Sequence, residues 1–159
     1  MQDPPFDRID HSLLLALSRQ GRATHVELAQ AVHLSPSAVA RRQRALEEGG
    51  VIRGYGADID PAAFGLSTTV IVQVTLKGQN EHDLTEFETA VAQCDSVLRC
   101  WLMSGSDDYL LILLVRDLVD FERVHKTQLS RLPHVARIQS SFAMRDVVRR
   151  ALPRHVLRE

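Results

Sequence analysis

The sequence predicts an α+β protein of two parts. Three observations predict it. Residues 7–48 carry helix starts and stops around apolar positions at helical spacing, residues 68–144 alternate strand and helix patterns, and the charge distribution changes between the two. At 159 residues and 17.8 kDa, one medium domain or two small ones are possible.

In the first part, Asp7 caps a helix that has Asp10 in its first turn, where carboxylates suit the helix dipole. Ile9, Leu13, Leu14 and Leu17 form its apolar stripe, and Gly21 is a natural stop. Thr24 and Glu27 have capping-box spacing and open a second helix with Val26, Leu28, Ala29 and Val32 as apolar positions. After His33-Leu34, Ser35 caps a third helix with Pro36 at its first position, where the missing N–H costs nothing. That helix runs to about Glu48 and stops at Gly49-Gly50, with Val39 and Leu46 facing the core.

Two short helices joined by about three residues make a helix-turn-helix pattern, whose second helix enters the major groove of DNA. Its outward residues here are Ser35, Ser37, Ala38, Arg41, Arg42 and Arg44. Arginines grip phosphate or read guanine, and serines bond phosphate oxygens. A solvated basic face on a plain three-helix bundle is the alternative.

Val51–Ile59 alternates and predicts a short strand. Asp60-Pro61 opens a turn and Gly65 marks a break. The expected division is a helix-turn-helix domain at 1–55, a hinge at 56–66 and a second domain at 67–159.

In that domain Val70, Val72, Val74 and Leu76 alternate along a strand from Thr68. A helix from Asp83 presents Leu84, Phe87 and Val91. Strands follow at Val97–Met103 and Tyr109–Val115, joined by a turn at Ser104–Asp108; the second is apolar on both faces, as a central strand should be. A second helix carries Leu118, Phe121, Val124 and Leu132, ended by Pro133, and a last strand spans Val135–Met144. This β-α-β-β-α-β order is the ferredoxin-like arrangement. Helices cover one face of such a sheet, so its other apolar face calls for a second copy.

Overall charge is −1, which excludes a uniformly basic nucleic-acid binder. Between Ser37 and Arg53, however, four arginines face two glutamates, and the tail from Arg145 is basic again, with Arg149, Arg150, Arg154 and Arg158. Cys94 and Cys100 lack metal or redox spacing, and the seven histidines lack HxxxH or HxxH spacing, so neither disulfide nor metal site is expected. There is no phosphate loop and no G-x-S-x-G, so no catalytic residues and no cofactor are expected. No apolar run approaches a membrane span, and Met1–Asp7 lacks signal-peptide character, which makes the cytoplasm the expected location.

Several stretches taken together resemble the Lrp/AsnC family of transcriptional regulators over nearly the whole chain. They are Phe6-Asp-Arg-Ile-Asp10, Gly21-Arg22, Val26-Glu-Leu-Ala29, Val32-His-Leu-Ser-Pro-Ser37, Arg41-Arg42, Leu46-Glu47, Gly50-Val-Ile-Arg-Gly-Tyr55 and Met103-Ser-Gly-Ser-Asp-Asp-Tyr109. The run Ser140-Ser-Phe-Ala-Met144 with Ala151-Leu-Pro153 is similar to a branch of cysteine- and glutamate-linked regulators. The resemblance implies a winged-type helix-turn-helix and a RAM-type effector domain. It implies dimers through the C-terminal sheets, often built into octamers, and an amino-acid effector held between those domains. Two departures are Gln43, where the family has an apolar residue, and the small Ala40.

The resemblance points to Trp101, Met103, Ser104, Gly105, Ser106, Asp107, Asp108 and Tyr109 as effector-binding residues. A zwitterion needs an acceptor for its ammonium, which Asp107 or Asp108 supplies, and donors for its carboxylate, which backbone N–H groups of a Gly/Ser turn supply. Gly105 allows close approach, and Trp101, Met103 and Tyr109 can pack on the ligand side chain. Ser140 and Ser141 are lesser candidates. A plain hairpin turn is the alternative. For the whole chain, the rival readings are a haem-pathway decarboxylase-like enzyme on the same fold and an architectural DNA-binding protein without effector.

Overall fold

A computed structural model describes residues 7–149 and Pro153. The described chain falls into two compact units, one ending at Asp58 and one spanning Ile59–Val147; Val148 and Arg149 group with the first.

The first unit holds α1 (Arg8–Arg19), α2 (His25–Val32) and α3 (Pro36–Glu48). Each starts as its sequence predicts. Asp7 and Asp10 form a capping box on α1, Thr24 and Glu27 another on α2, and Ser35 accepts from the Ala38 N–H at the start of α3. Leu13, Leu17, Leu28, Ala29, Val32, Val39 and Leu46 close one core. Val26 is 56% exposed, so the apolar stripe of α2 is narrower than expected. Gly21 is not the left-handed stop of α1; the helix ends through Gln20, whose N–H bonds the Ala16 carbonyl. His33 takes the left-handed conformation that ends α2 and turns the chain toward α3.

Residues 51–59 form no strand. No second strand is paired with them among the described residues, and an extended segment without a ladder partner leaves its backbone groups to water. A single 3₁₀ turn follows at Pro61–Phe64, capped by Asp60 and closed by left-handed Gly65, as the turn signals predict.

The second unit is a four-stranded antiparallel sheet of β1 (Thr68–Leu76), β2 (Val97–Leu102), β3 (Tyr109–Val115) and β4 (Val135–Phe142), in the order β2-β3-β1-β4. With α4 (Glu81–Val91) and α5 (Leu118–Thr127) between the strands, this is the ferredoxin-like arrangement. Val70, Val72, Val74, Tyr109, Leu111, Leu113 and Val115 form the fully buried face, packed with Phe87, Val91, Val124 and Leu129. The second helix stops sooner than its apolar pattern suggests. After Thr127 the chain tightens into a 3₁₀ turn at Leu129–Arg131, which lets Leu129 and Leu132 reach the core, while Leu118 stays 66% exposed.

The opposite sheet face is less covered. Ile71 pairs with Ile112, and Leu110 with Trp101 and Gln73. The side chains of Ile71, Leu110, Ile112 and Leu114 are only half-buried and Trp101 is exposed, with the Arg99 guanidinium over its ring at 5.9 Å.

Candidate functional sites

Helix α3 divides its polar residues into two groups. Arg42 points inward: one nitrogen pairs with Asp10 at 2.8 Å and Asp7 at 2.9 Å, tying α3 to the start of α1. Its guanidinium is raised from its ordinary value, by the Asp10 bond first, against the opposing effect of burial. Arg41 and Arg44 are exposed and form no hydrogen bond or ion pair among the described residues. Ser35 and Ser37 lie beside them at the N-terminal turn, 3.1 Å apart through their hydroxyls, and Ala38 is half-buried. The structure thus leaves Ser37, Arg41 and Arg44 presented together and turns Arg42 into a brace.

Gln43, the departure from the apolar pattern, donates to the Tyr55 hydroxyl at 2.7 Å and to Glu47 at 3.1 Å, and Tyr55 donates to Glu47 at 2.7 Å. A polar triad replaces an apolar contact there and holds residue 55 against α3. At the other end of the unit Arg149 pairs with Asp58 at 2.7 Å. Arg150, Ala151, Leu152, Arg154 and Arg158 lie outside the described residues, as does Phe6.

In the second unit the turn between β2 and β3 closes through two backbone bonds, from the Met103 N–H to the Asp108 carbonyl and from the Asp108 N–H to the Val74 carbonyl. The N–H groups of Ser104, Gly105, Ser106 and Asp107 donate to no acceptor among the described residues. Gly105 sits at φ +159°, a conformation that side chains rarely adopt, and nothing lies within 4 Å of where its Cβ would be. The turn, with Gln73 and Leu110, lines a small cavity of about 170 Å³.

The two aspartates differ. Asp108 is buried; its carboxylate accepts from the Leu76 N–H at 2.7 Å and from Gln79 at 2.6 Å, so it pins the turn to the end of β1. Asp107 stands at the sheet's open face, where Arg137 (2.8 Å), Thr75 (3.1 Å), Gln73 (3.2 Å) and Ser106 (3.3 Å) all donate to it. Burial pushes the Asp107 carboxyl up, but Arg137 and Thr75 outweigh it and hold it below the usual carboxylate value.

Tyr109 faces the helices. Its ring packs on Phe87 at 4.4 Å and its hydroxyl donates to Glu88 at 2.8 Å. Burial first, then Glu88, pushes its hydroxyl well above its ordinary value. Trp101 lies on the open face beside Leu110, and Met103 is 44% exposed at the cavity. Ser140 faces the α5 side and Ser141 pairs with Ile71 on the open face. Arg137, Gln73 and Thr75 complete the Asp107 cluster and were not singled out by sequence. The detectable signal was register: a ferredoxin-like sheet pairs the first and last strands, and Thr75 and Arg137 are direct cross-strand partners. Cys94 and Cys100 are free, and burial with Glu88 nearby raises the Cys100 thiol to about 11, a value that suits packing and not nucleophilic attack.

The comparisons with known proteins decide the family. A profile described as the Lrp/AsnC ligand binding domain matches residues 69–153, more than half the chain, and one described as winged helix-turn-helix DNA-binding matches residues 6–53. The chain belongs to the Lrp/AsnC family. It is similar to the Bkd operon transcriptional regulator of Pseudomonas aeruginosa, 37% identical over 148 residues that span 93% of this chain and 97% of the relative. The leucine-responsive regulatory protein of Escherichia coli K12 is 36% identical over 142 residues, 89% of this chain and 87% of that one. Among solved structures, a transcriptional regulator from Neisseria meningitidis in complex with L-Met superposes with a TM-score of 0.88 at 31% identity, covering 95% of this chain and 99% of that one. Escherichia coli AsnC shares the fold, with a TM-score of 0.85 at 18% identity. This Lrp/AsnC protein is therefore a transcriptional regulator with an N-terminal DNA-binding unit and a C-terminal ligand-binding unit. No described helix is long and apolar enough to cross a membrane.

Proposed function

We propose that this regulator binds double-stranded DNA through Ser37, Arg41 and Arg44 of α3, and that an amino acid bound at the 103–108 turn modulates that binding. The observation that carries the DNA half is the division of labour on α3: Arg42 is occupied within the fold, while Arg41 and Arg44 stand exposed without a hydrogen bond or ion pair among the described residues. Exposed guanidiniums beside serine hydroxyls at a helix N-terminal half suit a major groove and its flanking phosphates.

The effector half rests on the turn. Its four unengaged N–H groups suit a carboxylate, Asp107 meets an ammonium in exchange for one of the four side chains that now donate to it, and Met103 supplies apolar contact. Arg137 adds further N–H donors beside Asp107. Asp108 and Tyr109 support the turn from beneath. The cavity is about 170 Å³, whereas pockets for small molecules run about 300–1,000 Å³. A second copy of the chain completes such a site, and the half-covered sheet face with Ile71, Leu110, Ile112 and Trp101 is the surface on which copies pair. Pairing through that face gives the dimer; assembly of dimers to octamers is proposed with it on the family resemblance alone. The Neisseria meningitidis relative, solved with L-Met, supports an amino acid as the effector class. A regulator of this kind acts in the cytoplasm, with the DNA, and has no catalytic task.

The test is a salt titration of the purified full chain on DNA from upstream of its own gene, with each common amino acid in turn. Salt-dependent binding that one amino acid shifts, together with a change in oligomer size by light scattering, is expected. Specific binding that no amino acid alters would leave the architectural reading, and no specific binding with a coloured purified protein would favour the decarboxylase reading.

A further inference from the structure

A second polar cluster lies on the C-terminal unit, apart from the 103–108 turn. His82 and Glu86 are one helical turn apart on α4, and His134 faces them from the turn that precedes β4. Glu86 bridges the two imidazoles, at 3.4 Å from His82 Nε2 and 2.6 Å from His134 Nε2. The ligating atoms of all three residues lie within 4.8 Å of one another.

The geometry points to a zinc-class divalent metal site made by His82, Glu86 and His134, with water in the remaining position. Four features carry this inference. Two imidazoles and one carboxylate are a donor set suited to zinc, and three protein ligands with an open place are a common zinc arrangement. Tetrahedral ligands about 2.0–2.1 Å from zinc stand roughly 3.4 Å apart, which the His82–Glu86 pair already meets. The shorter His134–Glu86 contact is the hydrogen bond that the ion replaces.

The third feature is outside the ligand set. Asp83 Oδ1 lies 3.4 Å from His134 Nδ1, on the side of the ring away from Glu86, and Asp83 is itself held by Asn80. A carboxylate beside the far nitrogen favours a proton on Nδ1, so that Nε2, now hydrogen-bonded to Glu86, can give up that bond and its proton and take the ion as a neutral ring, as in carboxylate–histidine–zinc arrangements. The fourth is backbone conformation. His134 has φ +59°, which a histidine takes at some cost, and the Lys77 N–H bonds its carbonyl at 2.7 Å. The turn is thereby locked with the imidazole aimed at α4. A bound ion cross-links the start of α4 to the start of β4, two segments that are 48 residues or more apart in sequence.

The site does not depend on the effector reading. Its test uses zinc alone, titrated by isothermal calorimetry into the full, tag-free chain, with cobalt as a spectroscopic probe. One zinc per chain is expected, with cobalt giving the visible absorption of a four-coordinate ion. His82 is 73% exposed, so His82→Ala leaves the fold intact. His134→Asn keeps a residue that tolerates the left-handed backbone. Each of these should weaken zinc by about tenfold or more, and Asp83→Asn by about tenfold through the outer contact. His125→Ala, outside the cluster, should leave binding unchanged. Zinc affinity in the His82→Ala/His134→Asn double variant equal to that of the unaltered chain, with circular dichroism showing both folded, overturns the proposal. So does an unaltered chain that takes up no zinc.

Discussion

Helix α3 and the 103–108 turn both carry clustered charge, but they carry it differently. On α3 the outward guanidiniums of Arg41 and Arg44 have no hydrogen bond or ion pair among the described residues, and only Arg42 is tied down. At the turn both carboxylates are engaged, Asp107 by four side chains and Asp108 by the Leu76 N–H and Gln79, and it is the backbone N–H groups that stand free. A surface that meets a long polyanion gains from uncommitted cations, because the counterions they displace drive binding. A site for a small zwitterion gains from a preorganised frame, because the ligand has few atoms with which to order loose side chains. Substitution should therefore act on binding at α3 and first on architecture at the turn.

The largest effect that sharpens this contrast is on DNA affinity. Arg41→Ala with Arg44→Ala should cost about 1–3 kcal/mol for each arginine that reads a base, and should flatten the salt dependence for each one that grips a phosphate. Fluorescence anisotropy across a salt series reads both, with the melting temperature unchanged. Next is Asp108→Ala, which leaves the buried Leu76 N–H without its acceptor; a loss of roughly 1–3 kcal/mol in chemical denaturation is expected. If its stability is unaltered, Asp108 does not frame the turn. Arg42→Ala should lose about 1 kcal/mol, because the pair is partly exposed. Its DNA affinity should fall less than that of Arg41→Ala; an equal fall at unchanged stability would mean that Arg42 touches DNA after all.

Asp107→Asn should lower the melting temperature slightly, by weakening the Arg137 pair, and abolish the amino-acid effect on DNA binding; an effect that persists breaks the contrast. The smallest effect is acid sensitivity. Asp7 and Asp107 both have carboxyls held below the ordinary value, Asp7 chiefly by the Asp10 N–H and also by Arg42, and Asp107 by Arg137 and Thr75 against burial. A depressed folded value stabilises the fold above the unfolded carboxylate pKa of about 3.9 and loses that contribution as pH falls through the folded one. Melting temperatures measured from neutral to acid pH should drop there, and Asp7→Asn, which can still cap α1, should flatten part of the drop.

Much of the fold is legible in the chain because its signals are local. Asp7, Thr24 and Ser35 mark three helix starts through bonds to residues two or three positions on, and the alternation of Val70, Val72, Val74 and Leu76 marks a strand by itself. Where sequence reading fell short, the deciding partner is distant. The alternation at 51–59 reads as a strand, yet a strand needs a neighbour and none is paired there. Arg42 looks like its neighbour Arg41 until Asp10, thirty-two residues away, is folded against it. His134 gives no metal-ligand spacing with any other histidine, and only the sheet brings it to His82 and Glu86.

The order of residues was enough to set the helix-turn-helix, the ferredoxin-like succession of elements and the positions of the two charged surfaces, since capping, periodicity and turn chemistry act within a few residues. Which of those charges are free was settled by folding. That choice depends on pairs such as Arg42 with Asp10 and Asp107 with Arg137, whose attraction falls off with distance in space and is indifferent to distance along the chain.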